Sequence, residues 1–441
     1  MMNKISVIGT GYVGLVSGAC FSEFGLNVIC MDVDQSKIDS LKKGIIPIYE
    51  PGLEDLVAKN VKDGRLSFTT DIEEAITNST VIFIAVGTPP LEDGSADLKY
   101  VLDAAKSIAK YMDDYKVIVN KSTVPIGTGK KVANIILETL NERGVNVDFD
   151  VVSNPEFLRE GSAINDFMHP DRIVIGTDSI HAKEIMQEIY RVLYINNHPF
   201  VFTNTETAEM IKYAANAFLA TKITFINEVS RLCEVIGADV KQVSNAIGLD
   251  KRIGKYFLHA GPGYGGSCFP KDTHALTMIG DSAGIDMKLV KTVIDVNEEQ
   301  KIWMAQKVIS EFNNENLSNK KIAVLGLAFK PETDDVRESP AITIIEKLLE
   351  CGCKITAFDP AAASNAKKFY LGDNIEYAEN EYDAAKGADA LLIVTEWNQF
   401  RSINLYKIKE LMAGNLFFDL RNIYDKAKVE EAELKYFCVG R

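Results

Sequence analysis

The residues best equipped for chemistry stand in one segment, Gly261-Pro262-Gly263-Tyr264-Gly265-Gly266-Ser267-Cys268-Phe269-Pro270-Lys271-Asp272. Four glycines within six positions let backbone wrap closely on a ligand, and they deliver a thiol just ahead of a Lys-Asp pair. A neighbouring cation and a helix start would favour the thiolate, the nucleophilic form of cysteine. Cys268 is therefore the candidate nucleophile, weighed against the plainer role of a small buried hydrophobe. That plainer role is the one expected for Cys20, Cys30 and Cys233, which fall inside helix or strand patterns. Cys351 and Cys353 lack partner ligands at zinc spacing, and Cys438 stands alone near the C-terminus.

Lys212 and Asn216 lie four residues apart in a helical pattern and share a face. A lysine there could bind an oxyanion or, desolvated, move a proton; the alternative is a solvated helix surface. Glu156 and Glu160 place two carboxylates four apart after the apolar strand 149–152, either as acid–base groups or as an exposed helix start whose acids complement the dipole. Asp250-Lys251-Arg252-Ile253-Gly254-Lys255-Tyr256-Phe257 mixes cations with aromatics and could clamp phosphate and stack on a base, or be plain surface. The five histidines form no ligand pattern such as HExxH, so no catalytic metal is expected.

The elements that would position these groups begin at the N-terminus. A β-branched run, Lys4 to Ile8, leads into Gly9-Thr10-Gly11-Tyr12-Val13-Gly14, then helical spacing through Phe24, then a second strand, 27–31, ending at Asp32. This is a βαβ dinucleotide fingerprint in which Gly9 makes the tight turn, Gly11 admits a pyrophosphate and Gly14 lets helix and sheet pack. The helix start supplies N–H donors for the phosphates, and Asp32 would accept hydrogen bonds from a ribose diol, favouring NAD over NADP. Further strands at 81–86 and 116–120 end near Thr88, Ser122 and Thr123, where ligands of a parallel doubly wound sheet bind. The opening pattern recurs at 321–326 with a second terminal acid, Asp359, but the loop Leu327-Ala328-Phe329-Lys330-Pro331 lacks the second and third glycines and offers a lysine instead.

Between the halves, Thr203-Asn204-Thr205-Glu206 reads as a capping box opening a helix to about Ile236, roughly 45 Å long, able to bridge domains and form a dimer seam. A second helical pattern covers 287–312, and the polar stretch 313–319 reads as a linker. The expected architecture is α/β, two Rossmann-like doubly wound domains joined by a long central helix. Its divisions are a dinucleotide domain at 1–202, a central helical domain at 203–312 and a second Rossmann-like domain at 313–441.

The formal charge of −14 argues against nucleic acid or an anionic membrane as partner, because both attract clustered positive charge. No run reaches the roughly 18–20 apolar residues of a spanning helix. Seven cysteines without the regular spacing of a disulfide scaffold fit the cytoplasm.

Taken together, GYGGSCFPKD at 263–272, AFKPETDDVRESPA at 328–341, TEWNQF at 395–400 and DLRN at 419–422 make the sequence resemble the nucleotide-sugar 6-dehydrogenases along essentially its whole length. The resemblance implies NAD-dependent, two-step, four-electron oxidation of UDP-glucose to UDP-glucuronate through a Cys268 thiohemiacetal and thioester. GDP-mannose or a UDP-N-acetylhexosamine is the alternative substrate, and a non-catalytic NAD sensor the alternative class. It implies that Thr123, Glu156, Lys212, Asn216 and Asp272 surround the reacting carbon with Cys268. NAD would be held by Gly9, Gly11, Tyr12, Val13, Gly14, Asp32, Lys37, Thr88, Ser122, Thr123, Glu160, Lys271 and Arg337. The UDP-sugar would be held by Glu156, Phe157, Leu158, Lys212, Asn216, Phe257, Leu258, Gly265, Phe329, Lys330 and Arg421. Arg252 would reach the neighbouring subunit's site in a homodimer or higher oligomer.

Overall fold

In the computed structural model, which describes residues 4–91, 93–312 and 317–441, the chain divides into two compact units, one ending at Ala215 and the other beginning at Asn216. The first unit is built on eight strands: β1 (Ile5–Ile8), β2 (Val28–Met31), β3 (Leu66–Thr69), β4 (Val81–Ile84), β5 (Lys116–Asn120), β6 (Phe149–Ser153), β7 (Ile173–Gly176) and β8 (Phe200–Thr203). They lie in the order β3-β2-β1-β4-β5-β6-β7-β8. Neighbours run parallel except β6 and β7, which are antiparallel. The apolar runs that form β1, β4, β5 and β7 are buried on both faces, as a helix-covered sheet requires, whereas β8 at the edge is partly exposed. Val81 and Phe83 enter one core while Ile82 and Ile84 enter the core on the opposite face. β4 stops at Ile84, two residues before the sequence pattern ends at Val86.

The second unit carries β9 (Lys321–Leu325), β10 (Lys354–Phe358), β11 (Glu376–Tyr377), β12 (Ala390–Ile393), β13 (Leu416–Asp419) and β14 (Lys435–Cys438). Their order is β11-β10-β9-β12-β13-β14, parallel throughout. This repeats the order of the first six strands of the other unit, the third-second-first-fourth-fifth-sixth arrangement of a dinucleotide fold. Two Rossmann-like doubly wound sheets are thus present, as the repeated strand pattern implies.

The long helix spans Thr205–Ile236, 32 residues. Its cap differs from the expected box. Thr203 is the last residue of β8 and is committed to the sheet, so Asn204 caps instead, its side chain accepting from the Thr207 amide at 2.9 Å. Glu206 turns outward to Lys130, an ion pair of 2.5 Å. The second helical pattern becomes Lys288–Ser310. Of the expected linker, residues 313–316 lie outside the described residues. Among the described residues no helix is long and apolar enough to cross a membrane.

Candidate active site

The first loop of the N-terminal unit is shaped by what its glycines exclude. Gly9 takes φ +99°, and a side chain there would press on the Ala85 carbonyl oxygen at 2.7 Å. A Cβ on Gly14 would collide with the Gly9 carbonyl, whereas one on Gly11 would meet nothing within 4 Å. Gly14 therefore serves internal packing, and the open side of Gly11 faces the space a pyrophosphate would fill. The helix Tyr12–Glu23 starts directly after Gly11, so its unpaired N–H groups line that space, with Val13 half-buried on the first turn. Asp32, at the end of β2, accepts from the Thr10 amide and hydroxyl at 2.8 Å each, from the Asp34 amide at 3.1 Å and from Lys37 at 3.1 Å. Burial alone would raise its carboxyl, but these donors outweigh burial and hold it below the usual carboxylate range. Thr88 and Ser122 are fixed at the neighbouring strand ends: the Thr88 hydroxyl donates to the Thr123 carbonyl at 2.9 Å, and the Ser122 hydroxyl to the Val86 carbonyl at 2.7 Å. Open backbone, oriented donors and an ionised acid at the second strand's end fit NAD.

Glu156 lies in irregular chain after β6, not on a helix start, so the reading of Glu156 and Glu160 as dipole-complementing acids is overturned. Pro155 has no N–H to give a helix, and residues 154–159 form neither helix nor strand. Glu156 is 5% exposed and takes Lys212, itself 3% exposed, in an ion pair of 2.9 Å; it also accepts the Leu158 amide at 2.5 Å. The solvated-surface alternative for Lys212 and Asn216 is likewise corrected, since both are buried. Burial would raise the Glu156 carboxyl, but Lys212, the Leu158 amide and Lys121 together keep it low and charged. Phe157 carries the Arg172 guanidinium 3.5 Å above its ring. Ser122, Thr123 and Lys212 share the wall of one small cleft. Glu160 sits half-buried before Gly161, whose amide donates to the Tyr12 hydroxyl at 2.9 Å.

In the second unit, Cys268 caps the N-terminus of the helix Phe269–Ser282, partly exposed, its sulfur 3.5 Å from the Ser267 hydroxyl. Asp272, one turn along, is buried and receives Asn216 Nδ2 and Lys271 Nζ at 2.6 Å each. Asn216 stands four residues beyond Lys212 on the long helix. The glycine-rich loop before Cys268 is clamped by buried amides: Asn297 accepts from the Tyr264 amide at 2.8 Å and donates to its carbonyl at 3.1 Å. Asn227 and Gln300 hold Gly261 at 2.8 and 2.9 Å. Gly265 packs against the Glu338 carbonyl with no room for a side chain, and at Gly266, φ +83°, a Cβ would come 2.6 Å from the Phe329 ring.

That close fit joins the cysteine loop to the loop after β9. Arg421 donates to the Phe329 carbonyl at 3.0 Å and to the Val394 carbonyl at 2.6 Å, and pairs with Glu396 at 3.0 Å. The Lys330 ammonium lies 5.3 Å from the Phe329 ring centre. Phe257, strained at φ +62°, meets Phe269 edge-on at 6.0 Å, and Leu258 is buried beside it. Arg337 is largely exposed and paired with Asp335 at 2.8 Å. Arg252 stands apart from this cluster: it is exposed on a turn and paired with Asp250 at 2.6 Å. Among the described residues no group of three or more His, Cys, Asp or Glu side chains could hold a metal ion.

Sequence reasoning passed over several organising residues. Glu50 is buried and accepts the Tyr12 hydroxyl and the amides of Gly161 at 2.7 Å and Ala163 at 2.8 Å, tying the first loop to the 156–161 segment. Its only signal is an acid before Pro51-Gly52. Lys121 is buried against Asn154 and Tyr190 at 3.1 and 3.3 Å. Burial pushes its ammonium down to about 8, with Lys212 adding to that effect and Glu156 opposing it. Asn297 and Gln300 carried no signal beyond their place in a helical pattern.

Models of the UDP-glucose/GDP-mannose dehydrogenase family match three stretches of the chain: the NAD binding domain over residues 3–194, the central domain over 206–299 and the UDP binding domain over 323–426. The chain is 53% identical over 441 residues to a UDP-glucose 6-dehydrogenase of Rhizobium meliloti (strain 1021), covering 99% of each. It is 51% identical over 440 residues to one of Bacillus subtilis (strain 168), covering 100% of this chain and 94% of that protein. Among solved structures it superimposes on a UDP-glucose dehydrogenase of Pyrobaculum islandicum with a TM-score of 0.91 at 41% identity, covering 99% of this chain and 97% of the other.

Proposed function

The chain belongs to the UDP-glucose/GDP-mannose dehydrogenase family, and from that premise we propose that it oxidises C6 of UDP-glucose to the carboxylate of UDP-glucuronate with NAD as cofactor. The observation that carries the chemistry is Cys268 at a helix start with Asp272 one turn beyond it, held by Asn216 and Lys271. NAD, when bound at the Gly9–Gly14 loop, supplies the hydride acceptor for each of the two oxidations. Lys212, or a water held by Asp272, takes the C6 hydroxyl proton in the first. The Cys268 thiolate, favoured by the positive end of its helix, then adds to the aldehyde carbon. The sulfur–carbon bond forms as the carbonyl pair moves onto oxygen, which takes up a proton to give the thiohemiacetal. This adduct keeps the aldehyde from escaping between the two oxidations. Lys212 and Asn216 stabilise the oxygen anion. After the second oxidation a water, activated near Glu156 and Asp272, attacks the thioester carbon; the sulfur–carbon bond breaks, releasing carboxylate and free thiol.

Several residues are assigned around this centre. In this reading Thr123, Glu156, Phe157 and Leu158 contact the sugar, and Phe257, Leu258, Gly265, Phe329, Lys330 and Arg421 hold the UDP-sugar. Support for a homodimer comes from Phe218, Phe225 and Leu232, which repeat at seven-residue spacing along the long helix and are 66%, 51% and 57% exposed. Arg252, exposed on its turn, would act across that interface. Seven free thiols fit a cytoplasmic setting.

Cys268→Ser tests the reading. The variant is expected to bind NAD and UDP-glucose as before while net acid formation, followed as UDP-glucuronate by chromatography, falls below detection. Full turnover by it would remove Cys268 from the chemistry, and NADH release across a panel of nucleotide sugars would show whether UDP-glucose is the preferred one.

A further inference from the structure

The cleft walled by Ser122, Thr123 and Lys212 is also lined by Asn120, Ser153 and Glu209. Asn120 is the last residue of β5, and its side chain lies at the carboxyl end of the sheet, where ligands of this fold gather. It is 1% exposed, and among the described residues neither its amide nitrogen nor its carbonyl oxygen has a hydrogen-bond partner. An Asn amide has two donors and two acceptor sites, and buried polar groups of this kind are paired with protein or ordered water in all but a few cases. Nearby groups are otherwise engaged: Ser153 donates to Glu209 at 3.2 Å, and Glu209 also accepts the amides of Gly127 and Gly129 at 2.6 and 2.8 Å. Asn120, Ser122, Thr123, Ser153, Glu209 and Lys212 bring polar groups to this cleft beside the apolar Val124 and Pro155, and so offer the several partners a buried water needs.

We propose that this cleft holds a water site anchored by Asn120, and that its water bridges Asn120 to Lys212. The site makes Asn120 a positioning residue that acts through Lys212. Glu209 fixes the same arrangement from the other side. It stands three residues before Lys212 on the long helix and ties that helix to the start of the helix Thr128–Arg143. Lys212 is thus oriented by Glu156 on one side and by the bridged water on the other. The consequence for catalysis rests on the assignment of Lys212 to the reacting carbon; the existence of the water does not.

Two measurements test it. A crystal structure of the NAD-bound protein at a resolution that orders solvent is expected to show a water within hydrogen-bonding distance of the Asn120 amide, and its absence from wild-type density overturns the site. Asn120→Leu, close in shape but unable to hydrogen-bond, is expected to lower kcat roughly tenfold, the worth of one net hydrogen bond. KM for UDP-glucose should stay within about twofold, and Asn120→Ser, which keeps a hydroxyl and room for water, should restore most of the loss. An unchanged kcat in Asn120→Leu overturns the positioning role. If that variant fails to fold, the wild-type density decides alone. If the wild type releases no NADH on UDP-glucose, the substrate reading fails and the water site still stands or falls by diffraction.

Discussion

The two Rossmann-like units use the same acid at the end of the second strand for opposite ends. In the first unit Asp32 accepts from Thr10, Asp34 and Lys37, beside a glycine that faces open space and a helix that starts at once. In the second, the corresponding Asp359 is consumed by its own loop. One oxygen accepts the amides of Leu327 and Ala328 and the Trp397 indole, at 2.7, 3.0 and 3.2 Å, and the other accepts the amides of Ala361 and Ala362. Gly326 repeats the turn of Gly9, φ +97° against +99°, but the next helix waits until Pro340. Strand order and turn are therefore shared, and what separates a dinucleotide cradle from its relative is whether a helix starts at the loop beside a carboxylate oxygen that takes one backbone amide, as in Asp32, or two, as in Asp359. The long segment 327–339 instead lies against the cysteine loop through Gly265 and Gly266.

The strongest test of this difference is Gly14→Ala. Its methyl group would drive into the Gly9 carbonyl, so a loss of about 3 kcal/mol in the first unit is expected, read as an early unfolding transition, with the second unit's transition unmoved. Gly11→Ala, facing open space, should leave stability within about 0.5 kcal/mol while NAD affinity falls. Similar melting of both variants would show that the first loop is no more specialised than the second.

The acids come next in size. In Asp359→Asn either orientation of the amide sets an NH2 group against two or more N–H donors. A cost of about 2 kcal/mol is expected, with NAD affinity unchanged by calorimetric titration. Asp32→Asn should do the reverse: NAD affinity should drop roughly tenfold, with a stability change of about 1 kcal/mol or less, and sugar affinity should be little affected. Equal melting losses in both variants, with NAD binding intact, would erase the contrast.

Much of this contrast was legible in the sequence, because its signals are local. Short β-branched runs ended by glycine or an acid give the strands, and the missing glycines at 327–331 already separate the second loop from the first. What stayed ambiguous depended on partners distant in the chain. Lys212 could be read as surface because Glu156, which buries its charge, is 56 residues away, and Glu50 reaches Gly161 across 111. The capping box failed for a related reason: local pattern favoured Thr203, and sheet pairing with Gly176 claimed it.

The smallest effect is the acid limb of stability. Burial would raise the Asp32 carboxyl, but the Thr10 and Asp34 amides, the Thr10 hydroxyl and Lys37 lower it by more. The unfolded chain, with a carboxyl near the usual value of about 3.9, then binds more protons than the folded one as pH falls through that region. The stabilisation is fully present above roughly pH 5 and fades as pH drops below about 4 toward the folded value. Asp32→Asn lacks this titrating group, so the stability gap between wild type and variant should be flat near neutrality. It should narrow in acid by an amount on the order of a few tenths of a kcal/mol, measured by urea unfolding at stepped pH. A gap that widens in acid would mean that the carboxylate is destabilised where it sits, and that Asp32 is held for a ligand at the expense of the fold.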